Sequence, residues 1–196
     1  MNLLALGTGA IVGIIVGVVV VLVLILVVWG ISTHNKFVAM GTSVEEGFST
    51  MDVYLKKRYD LIPNLVETVK GYAKHESDVL MGVTQARANA QAATTPEEKL
   101  EANKQLTQAL RSFNVVVEKY PDLKANSNFL EMQKDLRNIE TEIANSRKYY
   151  NGVVKTYNTK IRSIPSNIIA KMMKLEKKPL FEVEDAVERQ NVKVSF

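Results

Sequence analysis

The hydropathy pattern changes once along the chain, and the change is abrupt. Residues 1–33 contain no Asp, Glu, Lys or Arg, and residues 11–28 are almost wholly aliphatic. An α-helix needs roughly 20 apolar residues to cross about 30 Å of hydrocarbon, and this stretch supplies them. Trp29 follows the aliphatic block, where an amphipathic ring sits at headgroup level, and His34-Asn35-Lys36 return the chain to water. A cleaved signal peptide fits poorly: no basic segment precedes the apolar run, no Ala-x-Ala site follows it, and the run is too long. Residues 1–33 are therefore expected to form a permanent transmembrane anchor.

Beyond the anchor, apolar residues recur at intervals of three and four, the period of amphipathic helices. A first helix is expected over residues 36–59, with Gly41, Phe48, Leu55 and Ile62 in one heptad slot and Phe37, Val44 and Met51 in another. Asp60-Leu61-Ile62-Pro63 should interrupt it, since Pro63 suits an early helical position and not a helix interior. A second helix would then reach residue 92, repeating Leu65, Tyr72, Val79 and Ala86. Thr94-Thr95-Pro96-Glu97-Glu98 combines an N-cap, a proline at the first helical position and a capping-box glutamate. The third helix places Leu106, Phe113 and Tyr120 in one slot and Asn103, Leu110 and Val117 in the next, ending at Tyr120-Pro121-Asp122. The fourth, over residues 126–164, repeats Phe129, Leu136, Ile143, Tyr150, Tyr157 and Ile164. The fold class is all-α: a transmembrane helix followed by an antiparallel bundle of four long helices. The alternative runs the first two helices together through a kink at Pro63, giving three.

These boundaries divide the chain into an anchor (1–33), a bundle (34–164) and a C-terminal amphipathic helix with its tail (165–196). In the last segment Ser166 or Asn167 can cap a helix carrying Ile168, Ile169, Met172, Met173 and Leu175, with Lys171, Lys174, Lys177 and Lys178 opposite. Such a helix either folds back on the bundle or lies on a membrane or in a partner's groove. Residues 191–196 read as an extended tail.

Composition narrows the function. The chain has no cysteine, which excludes disulfides, thiolate chemistry and Cys-ligated metals. Its net charge of +4 comes from basic residues interspersed with acids, a solvated surface and not a nucleic-acid footprint. Lys36, Lys56, Lys57 and Arg58 follow the span and no basic side chain precedes it, so the N-terminus is expected outside and the bundle in the cytoplasm.

The heptads also expose polar residues in apolar slots. Arg58 follows Phe37, Val44 and Met51; Glu76 falls between Val69 and Val83; Arg87 follows Val66, Ala73 and Leu80. Glu140 and Arg147 precede Val154 and Ile161, and Asn151 and Asn158 follow Ala144. Buried and unpaired, each charge costs several kcal/mol, so Glu76 and Glu140 are expected to meet Arg87, Arg147 or Arg58. Such a network fixes helix register. A bundle metal centre would require Glu-x-x-His motifs, yet neither His34 nor His75 has a Glu three residues before it. Gly-x-Ser-x-Gly and phosphate-loop motifs are also missing, so no catalytic, cofactor or metal site is expected. In the anchor, Gly9, Gly13 and Gly17 lie four apart on one face, an arrangement that lets two spans approach closely.

The run Arg58-Tyr59-Asp60-Leu61-Ile62-Pro63-Asn64-Leu65-Val66, then Val69-Lys70-Gly71-Tyr72 and His75-Glu76, resembles the signature of LemA proteins. The likeness continues through Ala86-Arg87, Tyr120-Pro121-Asp122-Leu123, Asn128-Phe129 and residues 143–147. It extends to Tyr150-Asn151, Tyr157-Asn158 and Pro165-Ser166-Asn167. The resemblance implies a bacterial inner-membrane protein with an N-terminal span, a long-helical domain and no established enzymatic activity. Genes of the family often neighbour those of membrane metallopeptidases. The expected function is thus a non-enzymatic membrane-anchored scaffold that self-associates and organises the envelope or a membrane protein partner. The alternative is an accessory subunit of a membrane peptidase or transporter. The expected partners are the lipid bilayer, further copies of the chain and a membrane protein, without nucleic acid.

Overall fold

A computed structural model describes residues 7–181, and among these the only regular element is the α-helix. Six helices follow one another: α1 (Thr8–Lys70), α2 (Ser77–Ala92), α3 (Pro96–Glu118), α4 (Pro121–Ala125), α5 (Ser127–Arg162) and α6 (Ser166–Met172). The all-α expectation holds, with a long apolar N-terminal helix followed by further helices. The described residues form two compact units, residues 7–43 with 156–177 and residues 44–155 with 178–181.

In the first unit the aliphatic side chains of residues 11–28 are exposed on every face of α1. Cover begins where the aliphatic run ends: Trp29 and Gly30 are half-buried, and Thr33 and Phe37 are buried. Helix α6 packs here, with Ile169 Cδ1 only 4.0 Å from where a Cβ on Gly30 would lie. Ser166 Oγ fastens the preceding turn, lying 2.8 Å from the Lys160 carbonyl and 2.9 Å from that of Ser163. The helix ends at Met172, and Lys174 beyond it takes a left-handed φ of 52° while the Leu175 N–H bonds back to the Ala170 carbonyl.

The second unit is a four-helix bundle whose directions follow from its cross-links. Asp52 meets Lys99 and Arg58 meets Asn103, so α1 and α3 run parallel. Phe48 meets Tyr150 and Arg58 meets Glu140, so α5 runs against α1. Glu76, at the start of α2, meets Lys119 at the end of α3, so α2 runs against α3. Met51, Leu55, Ile62, Leu65 and Val69 of α1 are buried with Leu80 and Val83 of α2, Leu106, Leu110 and Phe113 of α3, and Ile143 and Val154 of α5. At Gly47 the α1 and α5 backbones come close: a Cβ there would stand 3.3 Å from the Tyr149 ring and 3.5 Å from Tyr150 Cα.

The ends of α3 follow the sequence reading. Thr95 caps the helix with a complete capping box, and Pro96 opens it. The first break does not. Helix α1 passes through Pro63 and ends seven residues later at Lys70, and residues 71–76 make the connection to α2. Neither the predicted interruption at Pro63 nor the fusion of the first two helices occurs. Tyr72, expected in an apolar slot, is exposed in that connection.

Candidate functional site

The most enclosed polar group of the second unit is Arg58, 2% exposed. Its heptad slot carries it inward between α3 and α5, where side chains meet its two terminal nitrogens. Nη1 donates to Glu140 Oε1 at 3.0 Å and to Thr107 Oγ1 at 3.5 Å, and Nη2 donates to Asn103 Oδ1. Asn103 is buried in turn, its amide donating to the Tyr59 hydroxyl at 2.6 Å and to the Lys99 carbonyl at 2.8 Å. The chain thus places one buried guanidinium of α1 against a carboxylate from α5 and an amide and a hydroxyl from α3. This is a register lock. Sliding any of the three helices by one turn would strand a charge.

Arg87 does something different. Proline carries no N–H, so Pro63 leaves the carbonyl four residues earlier, that of Tyr59, without its helical donor. Arg87 Nε of α2 donates to that carbonyl at 2.7 Å. A side chain from the neighbouring helix therefore completes the ladder that Pro63 opens, and α1 continues without a break.

The remaining predicted network members do not join Arg58. Glu76 meets no arginine: it is half-buried just before α2 and pairs with Lys119 at 3.5 Å. Its slot assumed a helix unbroken from residue 63 to 92, and the connection at 71–76 resets the phase. Arg147 lies over the Phe181 ring, 5.5 Å from its centre. Asn151 grips the backbone of the same residue: its amide donates to the Phe181 carbonyl at 3.1 Å and its Oδ1 accepts the Phe181 N–H at 2.8 Å. The neighbouring Tyr150 hydroxyl donates to the Pro179 carbonyl at 3.0 Å. Burial, and then the Glu97 charge, push the Tyr150 phenol above its ordinary range. Together these residues bind the extended stretch 179–181 through its main chain. Asn158 is half-buried in the first unit. The expected single network is thus a register lock, a proline-carbonyl bridge, a surface pair and a main-chain clamp.

The sequence reading does not place Asn103, Thr107, Tyr59 or Lys119 in these contacts. Asn103 stands in a slot with Leu110 and Val117, and an amide among aliphatics is the same signal that flagged Arg58. The acceptor of Arg87 is not legible in the sequence, because the open carbonyl follows only once α1 is known to continue through Pro63. In the apolar part of α1, Gly9, Gly13 and Gly17 face open space, with nothing within 4 Å of a Cβ built on any of them. Among the described residues, no group of three or more His, Asp or Glu side chains is placed to hold a metal ion.

Residues 47–196 match the LemA family. The match opens at the glycine where α1 and α5 touch and contains the Arg58, Arg87 and Asn151 sites. A protein named Protein LemA from Metamycoplasma hominis is 23% identical over 166 residues, covering 84% of this chain and 75% of its own length. Magnetosome proteins MamQ 2 and MamQ 1 of Paramagnetospirillum magneticum are each 24% identical over 179 residues, covering 78% of this chain. The chain spans 66% of the length of those two relatives.

Proposed function

The chain belongs to the LemA family, and from that premise we propose a non-enzymatic, membrane-anchored scaffold that self-associates and organises the bacterial envelope or a membrane partner. The observation that carries this reading is the uncovered apolar length of α1. A helix with hydrophobic side chains on all sides is unstable in water unless something covers it, and no other part of the described chain does. Lipid covers most of it. The face formed by Gly9, Gly13 and Gly17, empty within one chain, suits a second copy of the same helix. The magnetosome names of two relatives fit a protein that works at a cellular structure. Arg58 supports the non-enzymatic part, because all of its named partners belong to the helices it joins. The basic residues after the span, Lys36, Lys56 and Lys57, support an inner-membrane topology with the N-terminus outside and the bundle in the cytoplasm.

Native mass spectrometry of the intact protein, extracted with its own lipids, tests the proposal. The expected result is a homo-oligomer that Gly13→Leu reduces in size. A monomer indifferent to that change would remove the anchor from self-association. Stoichiometric recovery of a membrane peptidase or transporter would replace the scaffold with an accessory subunit.

A further inference from the structure

The first unit carries an apolar face that the scaffold reading does not use. Ile164, in the turn before α6, is 84% exposed, and Ile168 and Met172 on α6 are 56% and 75% exposed. At 100° per residue, Ile168 and Met172 point to the side of α6 opposite Ser166 and Ala170, which are both buried. The helix thus packs through Ser166, Ala170 and Ile169 and turns Ile168 and Met172 outward, large apolar side chains that nothing in the described chain covers. Around this face the charge is one-sided. Residues 156–177 hold Lys160, Arg162, Lys171, Lys174 and Lys177 against the single acid Glu176, and residues 7–43 hold no acid at all.

Position identifies the occupant. Residues 9–28 at 1.5 Å each measure about 30 Å, the thickness of the hydrocarbon layer. α6 touches α1 at Gly30, immediately beyond that length and next to Trp29. The outward side chains therefore stand at the level where hydrocarbon gives way to headgroups. We propose that the turn at Ile164 and helix α6 form an interfacial lipid-binding surface. Ile164, Ile168 and Met172 enter the boundary of the acyl layer, and Arg162, Lys171 and Lys174 meet anionic phospholipid headgroups. The inference rests on the reading that residues 9–28 cross a bilayer. It adds a second lipid contact beside the span, one that distinguishes anionic from neutral membranes.

The chain contains no cysteine, so single cysteines can be introduced without background. Ile168→Cys and Met172→Cys, in the full-length protein, are labelled with a small fluorophore and placed one chain per nanodisc, in phosphatidylcholine with or without phosphatidylglycerol. Some of the lipid is brominated near the headgroup end of its chains. Val20→Cys and Val115→Cys serve as references for the span and for an exposed site on α3. The expected result is loss of most fluorescence at 168 and 172 in discs containing phosphatidylglycerol, none at 115, and partial recovery with Lys171→Glu plus Lys174→Glu. Labels at 168 and 172 that behave like the label at 115, while 20 remains in contact with lipid, overturn this inference and leave the anchor standing. A label at 20 that is never quenched overturns the anchor itself. Labels shielded from aqueous iodide but untouched by bromolipid assign the face to a protein and overturn the proposal. Equal quenching with and without phosphatidylglycerol overturns the anionic headgroup assignment.

Discussion

Helix α1 is written in two styles along its 63 residues. Residues 9–28 are apolar at every position, carry no charge and have no cover within the chain. Residues 44–69 carry one buried apolar stripe among polar and charged positions and admit an arginine and a proline into the helix. On the proposal that residues 9–28 cross a bilayer, the difference lies in what surrounds each stretch. Where hydrocarbon is the solvent, no neighbour can supply a hydrogen bond, so every polar demand must be met inside the helix. Where three other helices surround it, a buried charge or an open carbonyl is tolerated if a facing side chain answers it. Exceptions in the second stretch come with named partners, and the first stretch has no exceptions.

The largest test removes an exception from the bundle. Arg58→Ala deletes the guanidinium that α3 and α5 share, leaves the buried Asn103 short of a donor and opens a cavity. It is expected to cost about 3–5 kcal/mol in chemical denaturation of the detergent-solubilised protein. Glu140→Gln should cost less, about 1–2 kcal/mol, because the Glu140 side chain is 39% exposed and water can take its place beside Arg58. Equal losses would mean that the carboxylate, and not the enclosed guanidinium, holds the register.

The second test exchanges the two environments directly. Val20 is 51% exposed and Val53 is 55% exposed within the chain, so geometry alone makes lysine equally acceptable at both. The solvent does not. Val20→Lys places a charge at the centre of the span, at a cost of about 3 kcal/mol of insertion free energy. Val53→Lys lies on the wet side of the bundle and should change stability by less than about 0.5 kcal/mol. The fraction of each variant recovered in the membrane checks this, and equal recovery would mean that residues 9–28 do not cross a bilayer.

How much of this was legible follows from the same distinction. The long apolar helix was readable because composition alone defines it. The stripe Phe37, Val44, Met51, Arg58 was readable because a single period runs through it. Pro63 was misread because the rule that proline stops a helix counts only donors within that helix, and here the donor is Arg87 from another one. That error spread to Glu76, whose slot was counted across a connection that the chain does use, at Gly71 and Tyr72. The start of α3 was readable because its signals all lie within five consecutive residues. The clamp on residues 179–181 was not, since Asn151 binds main chain and main chain leaves no mark on composition.

The proline bridge offers a sharper test than its size suggests. Arg87→Ala leaves the Tyr59 carbonyl without a donor and should cost about 1–3 kcal/mol. Pro63→Ala supplies the missing N–H from within α1, so the same Arg87→Ala change in that background should cost about 1 kcal/mol less. A double-mutant cycle by denaturation reads this coupling. Additive losses would show that Arg87 acts through something other than the carbonyl that Pro63 leaves open.

The smallest effect belongs to an exposed helix end. At the start of α3, Glu98 Oε2 accepts the backbone N–H of Thr94 at 2.9 Å and of Thr95 at 3.1 Å, while the Glu98 N–H donates to the Thr95 hydroxyl. The Thr94 and Thr95 backbone bonds, in that order, hold the Glu98 carboxyl below its ordinary value. A carboxylate whose pKa is lower folded than unfolded binds fewer protons in the native state. Its contribution is therefore complete above the ordinary glutamate range and disappears as pH falls through the lowered folded value. Thr95→Ala removes the reciprocal cap and should cost about 1 kcal/mol at neutral pH. Hydrogen exchange at the amides of residues 95–98 should quicken in Glu98→Gln relative to the parent at pH 7, and the gap should close as the parent is taken below the lowered folded value. A gap that persists in acid would mean that the carboxylate charge contributes nothing to the cap, and that the glutamine amide oxygen is simply a poorer acceptor at that site.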